Sequence, residues 1–436
     1  MRCLAFLSVL SVLSILALAR PARATVCLTS PDESAKSLLV PLRGLQAYLK
    51  AGKIWTRVAI QIDERDSNGD YVLEHGLPFT ADGGDGRFNG SDELVIDLPE
   101  NFSDAQAISE GDTQTWLKGL QKKAPLWTPA SARQSKVWRL DLTVGTKKVQ
   151  VLLVSGLPEK LLPDAVWFNS NLQTVESPTY RYHFNKRNPA SMGRLEIPEG
   201  NAKTQDFTTI NSDGAFAIWV KPPWGFPVIS KSDKDLVGAI ESWRSGPVRT
   251  IVAVGSKYNG FWSIIKAHLF SELVFYRSRF QIPSVIDIPF SPKKMVGSGS
   301  GFAYALRLSG QVIPKLESPD NAPATVFVEH PAGLILTATL DPALTKAGTL
   351  PKVWQSENSN ENSGIPEDVV RWFRENEANT GFFVDISQMG RGRYDFSLDL
   401  ESRGRANKVH TDFQTCKSVW TPMAPTQTVR PATKPM

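Results

Sequence analysis

Trp55-Thr-Arg-Val58-Ala-Ile60-Gln61-Ile62-Asp63-Glu64-Arg65-Asp66-Ser-Asn68-Gly-Asp70 is a short apolar run that breaks into Asp, Asn and Gly. Runs of this length bounded by turn formers read as strands closing on tight turns. The same unit recurs at 94–98, 137–144, 149–154, 179–184, 216–220, 248–254, 261–276, 302–308, 324–328, 334–340, 381–386 and 394–400. So many short apolar segments with so little 3.6-residue periodicity predict an all-β, mainly antiparallel protein of two β-sandwich domains, against a parallel α/β sheet. Two helices are expected, over 34–49 and over 366–376. The second has Pro366 at a first-turn position with acids behind it.

Upstream of this run, residues 1–24 read as a cleaved secretory signal, with basic Arg2, an apolar stretch over 4–19 and the small-x-small site Ala22-Arg23-Ala24. The apolar stretch is shorter than the ~20 residues of a spanning helix, so no membrane span is expected after cleavage. The mature protein is expected to be soluble and either periplasmic or secreted. Losing Arg2, Arg20 and Arg23 takes the formal charge from +5 to +2. Acids and bases are interspersed along the chain, which argues against nucleic acid as a partner, since such binders carry clustered Lys and Arg. Cys3 leaves with the signal; Cys27 and Cys416 remain near the two ends, and in an oxidising compartment they are expected to form a disulfide.

Removing 24 of 436 residues leaves 412, more than one core usually supports. The expected organisation is an N-terminal sandwich over 25–195, a C-terminal sandwich over 209–420 and a disordered tail over 421–436. Polar stretches at 196–212 and 356–364 read as a linker and a second break.

The turn after the opening strand concentrates oxygen ligands. Asp66, Asn68 and Asp70 have the spacing of positions 1, 3 and 5 of a calcium loop, and Asp85, Asn89 and Asp92 fall on positions 5, 9 and 12 around Gly86. A structural Ca²⁺ is the expected cofactor, because Asp63, Glu64, Asp82 and Glu93 crowd the same region and would otherwise repel. The competing reading is that Asp, Asn and Gly cap hairpin turns.

Val58-Ala-Ile-Gln61-Ile-Asp63-Glu64-Arg-Asp66, followed by Asp85-Gly-Arg-Phe-Asn-Gly-Ser-Asp92-Glu93-Leu-Val, resembles the amino-terminal pattern of uncharacterised exported bacterial proteins. There an apolar-Gln-x-Asp strand leads into an Asp/Gly turn. Ser245-Gly-Pro247-Val-Arg249-Thr-Ile-Val, with a later strand ending in Phe275-Tyr276-Arg277, is similar to the Gly-Pro-x-Arg strand of galactose-mutarotase-like β-supersandwiches, some polysaccharide lyases among them. Ala59 stands where the first pattern has proline, and the Asp/Gly turn is longer than usual. The resemblance implies a sheet face that holds a saccharide, with Trp219, Trp224, Trp243, Trp262 and Tyr258 as candidate platforms. Core packing competes for each of these aromatics.

Period-2 alternation in Tyr180-Arg181-Tyr182-His183 puts the tyrosines on one face and Arg181 with His183 on the other. Two functions follow. One is a non-catalytic carbohydrate-associated or envelope-assembly module, with glycan or cell-envelope components as partners. The other is a polysaccharide lyase or glycosidase-like enzyme on uronate-containing glycans, in which Arg181, His183, His268 and Tyr276 neutralise the carboxylate and move the proton. The loop Gly297-Ser-Gly-Ser-Gly301 leads into a strand-like segment, so it lacks the helix dipole of a phosphate cradle.

Overall fold

A computed structural model describes residues 24–29, 40–41, 45–51, 54–66, 70–76, 87–88, 92–98, 137–144, 147–155, 166–198, 207–210, 213–222, 229–258, 268–288, 296–307, 313–317, 325–330, 334–340, 351–356, 364–389 and 392–402. The protein is all-β and antiparallel, as its alternating segments require. A six-stranded front sheet runs in the order Ala24–Thr29, Glu93–Leu98, Ile54–Asp63, Gln46–Ala51, Lys147–Val154, Val137–Val144. A second sheet of five strands is a meander, Trp167–Asn169, Thr174–Glu176, Arg181–Phe184, Met192–Pro198, Phe207–Ile210. The third sheet runs Ile229–Ser232, Asp213–Val220, Gly301–Arg307, Thr380–Asp385, Lys352–Gln355. The largest sheet has nine strands, Ile313–Glu317, Thr325–His330, Leu334–Leu340, Gly392–Ser402, Arg279–Ile288, His268–Tyr276, Arg249–Tyr258, Leu236–Arg244, His75–Gly76.

Alternation along each strand sorts side chains into layers. Val252, Val254, Leu273, Phe275, Phe280 and Ile282 of the large sheet meet Tyr180, Tyr182, Phe184 and Leu195 of the second sheet, together with Phe302, Tyr304 and Phe382 of the third. Tyr182 sits at the centre of this core, its ring 4.9 Å from both Phe184 and Phe280 and 5.0 Å from Phe275. The opposite side of the third sheet is covered by the helix Glu367–Glu375, which buries Val369 and Phe373 one turn apart. Phe373 stacks on Trp354 at 5.2 Å. The opposite side of the large sheet carries Val248, Ile251, Val274 and Tyr276 against Val95 and Tyr71.

The expected helix at 366–376 is present within a residue at each end. The one expected at 34–49 is not: Val40–Pro41 and Gln46–Ala51 are strands. Gln46–Ala51 pairs with Ile54–Asp63 on one side and Lys147–Val154 on the other, burying Ala47 and Leu49. Two ladders override the helix propensity of Ala, Leu and Lys. The stretch 196–212, expected as a linker, holds paired strand instead, with Glu196 opposite Thr209 and Ile197 opposite Thr208. Cys27 lies in Ala24–Thr29; Cys416, the tail and 357–363 of the polar break lie outside the described residues.

Candidate functional site

The opening strand and the Gly-Pro-x-Arg strand meet. Arg249, 1% exposed, donates from Nε to Asp63 Oδ2 at 2.7 Å and from its second terminal nitrogen to Glu93 Oε2 at 2.6 Å. Its other terminal nitrogen donates to the Tyr276 hydroxyl at 3.0 Å. Gln61 fixes the approach of the two strands: its Oε1 accepts from the backbone N–H of Arg249 at 2.9 Å and of Val248 at 3.2 Å, and its Nε2 donates to Asp63 at 2.9 Å. Gly246 is required here, because a Cβ at that position would stand 2.3 Å from Gln61 Oε1. Arg65 joins from the side, 2.6 Å from Glu93 Oε1, with its guanidinium 3.7 Å above the Tyr71 ring. Tyr71 donates to Glu93 Oε2 at 2.7 Å.

Charge compensation dominates this cluster. Burial pushes the Glu93 carboxyl up, but Arg249 and Arg65 outweigh it and hold Glu93 at about 2. Burial raises the Tyr71 hydroxyl well above its ordinary value, against the pull of Arg249. Burial would lower Arg249, yet Asp63 and its other partners hold it well above the ordinary guanidinium value. At the rim, burial drives Glu272 up to about 7, opposed by the Tyr71 backbone N–H at 2.8 Å and by Arg65, and reinforced by Asp70 and Glu93.

The crowded carboxylates Asp63 and Glu93 therefore converge on arginine. Asp66 Oδ1 accepts the backbone N–H of Asp70 at 2.9 Å, and Asp92 Oδ1 accepts that of Arg65 at 2.8 Å, so both cap the turn. Among the described residues no group of three or more His, Cys, Asp or Glu is arranged to hold a metal. Asn68, Asp85 and Asn89 lie outside the described residues.

The second sheet presents a different surface. Its inner face is core; its outer face follows from the register. Trp167, Glu176, Arg181 and Glu196 form one row across four strands, and Asn169, Thr174, His183 and Arg194 form the next. Glu196 is the hub. Its Oε2 lies 3.2 Å from Arg181, and its Oε1 lies 2.7 Å from Arg194 and 3.3 Å from His183 Nε2, the last without hydrogen-bond alignment. Arg181 also reaches Glu176 at 3.5 Å. The carboxylates are tucked in, with Glu196 9% and Glu176 22% exposed, while Arg181 at 32% and Arg194 at 52% stand outermost. Trp167 is 43% exposed beside them. Asn169 accepts from the backbone N–H of Asn171 and Leu172, both at 3.2 Å, and so pins the adjoining turn.

The structure brings Arg181 and His183 together on this face. Tyr276 belongs to the Arg249 cluster, sealed at 3% exposure, and also receives the Tyr180 hydroxyl on its carbonyl at 2.6 Å. His268 opens a strand of the large sheet, and its side chain is outside the described set. Among the aromatic candidates, Trp219 is core, 5.3 Å from Trp372 and 6.4 Å from Phe383. Trp243 packs on Phe168 at 5.2 Å and His75 at 5.6 Å. Trp224, Trp262 and the Tyr258 side chain are outside the described residues. Sequence reasoning passed over Trp167, Glu176, Arg194 and Glu196. The signal that finds them is the alternation already visible in Tyr180–His183, carried to the neighbouring strands by register.

No family model matches the chain, and no curated protein does. It is similar to two solved structures from Enterococcus faecalis, an alpha-mannosidase and a protein in glycosyl hydrolase family 38, each at 9% identity and a TM-score of 0.35. Both alignments cover 88% of this chain, and 41% and 42% of the respective partners, so the chain spans about two fifths of their length. A likeness at that level assigns no activity.

Proposed function

We propose that this protein is an exported, non-catalytic carbohydrate-binding module whose glycan platform is the outer face of the second sheet. The observation that carries the reading is the solvent-facing Trp167 in register with Glu176, Arg181 and Glu196. An exposed indole offers an apolar face on which a sugar ring stacks, and the row beside it offers donors and acceptors for hydroxyls. At 4.7–4.9 Å per strand the row extends roughly 14 Å, room for a short oligosaccharide lying across the strands. The ion pairs around Glu196 hold these side chains in place before a ligand arrives, which lowers the entropy lost on binding. Arg181 engages both carboxylates of the row and so places a cation between them. The reading of residues 1–24 as a cleaved secretory leader supports export.

The test is affinity electrophoresis of the mature protein through gels containing a panel of soluble polysaccharides. Retardation by at least one polymer, abolished in Trp167→Ala, is expected. Unretarded migration through the whole panel overturns the proposal, and release of unsaturated uronate products would replace it with the lyase reading.

A further inference from the structure

Building on the proposed platform, we infer that the glycan it takes is anionic, bearing carboxylate or sulfate groups that dock on Arg181 and Arg194 beside Trp167. The layering of charge carries this. Each ion pair on the face is arranged with its carboxylate below and its guanidinium above: Glu196 is 9% exposed and Glu176 22%, against 52% for Arg194 and 32% for Arg181. A ligand arriving from solvent meets the cations first, and the acids act as the props that orient them. The turn following the Arg181 strand carries exposed Lys186 and Arg187, the latter donating to the Lys234 carbonyl at 2.6 Å.

Arginine is suited to the task. Its planar fork matches the two oxygens of a carboxylate or sulfate, and it is less strongly hydrated than an ammonium, so desolvating it against a ligand is cheaper. Glu196, already shared between Arg181, Arg194 and His183, fixes the two guanidinium groups relative to one another. His183 is 29% exposed on the same face, with Nε2 3.3 Å from Glu196 Oε1. Neutral sugars would use Trp167 and the polar row alone; an acidic residue next to the stacked ring uses the arginines as well.

Affinity electrophoresis and isothermal titration on the mature protein decide it, with three probes: polygalacturonate for carboxylate, dextran sulfate for sulfate and dextran for a neutral chain. The expected result is tighter binding to one or both acidic polymers than to dextran, weakened by added salt. Arg194→Gln should lose at least about tenfold in affinity for the acidic polymer, the least that a charge-assisted hydrogen bond contributes. Arg307→Gln, an equally exposed arginine paired with Glu377 on another sheet, should leave affinity unchanged. Equal loss in the two variants would reveal unspecific polyanion attraction and overturn the inference. Binding to dextran as tight as to the acidic polymers, unaffected by Arg194→Gln, would overturn it while leaving the glycan platform standing. Failure to bind any probe or any other polysaccharide would remove the platform itself. Preference for polygalacturonate over dextran sulfate, or the reverse, identifies the anionic group.

Discussion

Replacing Arg249 by Met should uncouple the front sheet from the large sheet. The side chain is 1% exposed and bridges Asp63, Glu93 and the Tyr276 hydroxyl, so its removal takes a shared cation from two buried carboxylates. Breaking a buried ion pair by deleting one partner costs ~3–5 kcal/mol. Glu93 keeps Arg65 at 2.6 Å and Tyr71 at 2.7 Å, whereas among the described residues Asp63 retains Arg244 at 3.6 Å and the Gln61 amide, so most of the loss falls on Asp63. The expected effect is therefore about 3 kcal/mol, the lower end of that range. Because the cost is an uncompensated charge, neutralising it should restore stability. Asp63→Asn combined with Arg249→Met should be less destabilised than the two single changes added together, by about 2 kcal/mol. Urea unfolding near neutral pH, with circular dichroism and tryptophan emission as probes, measures both quantities. A loss below about 1 kcal/mol for Arg249→Met, or strict additivity of the pair, would refute the reasoning.

Two further outcomes concern pH and metal. Glu272 holds its proton to about 7 in the folded protein but to 4.5 when exposed, so the folded state binds more protons across that window. Stability is highest below the lower value and falls as pH rises through the upper one, by up to about 3 kcal/mol. Glu272→Gln keeps an acceptor for the Tyr71 N–H and removes the titration, so it should be the more stable protein above pH 7; parallel unfolding profiles for the two proteins across the window would contradict this. Calcium at the 66–92 loop, if bound to the native state, raises the thermal midpoint, and EDTA should lower it. A midpoint indifferent to EDTA would contradict a stabilising calcium there, with Asp66 and Asp92 capping the turn.

The strands were legible because the chain alternates, and the helix Glu367–Glu375 was legible because Pro366, Glu367 and Asp368 mark its start. Gln46–Ala51 was misread because local propensity favours a helix there and only the two flanking ladders make it a strand. Gln61, Asp63, Glu93 and Arg249 all stood in the two quoted patterns, but nothing in either says that one completes the other. The separation of 186 residues between Asp63 and Arg249 is closed only by folding. The acidic crowding shows in the sequence, but that Asp63 and Glu93 are neutralised by a buried arginine does not, because Arg249 lies far along the chain. On the outer face, alternation placed Arg181 and His183 correctly on one side of their strand. Trp167 and Glu196 became their neighbours through cross-strand register, which a single strand does not carry.

The measurement closest to the function is the comparison of wild type with Trp167→Ala in polysaccharide-containing gels, run beside a thermal melt of each protein. Trp167 is 43% exposed, so the variant should melt within a few degrees of wild type while losing retardation. Retardation that survives the loss of the indole, in a variant that melts like wild type, would contradict the proposal that Trp167 is the glycan platform.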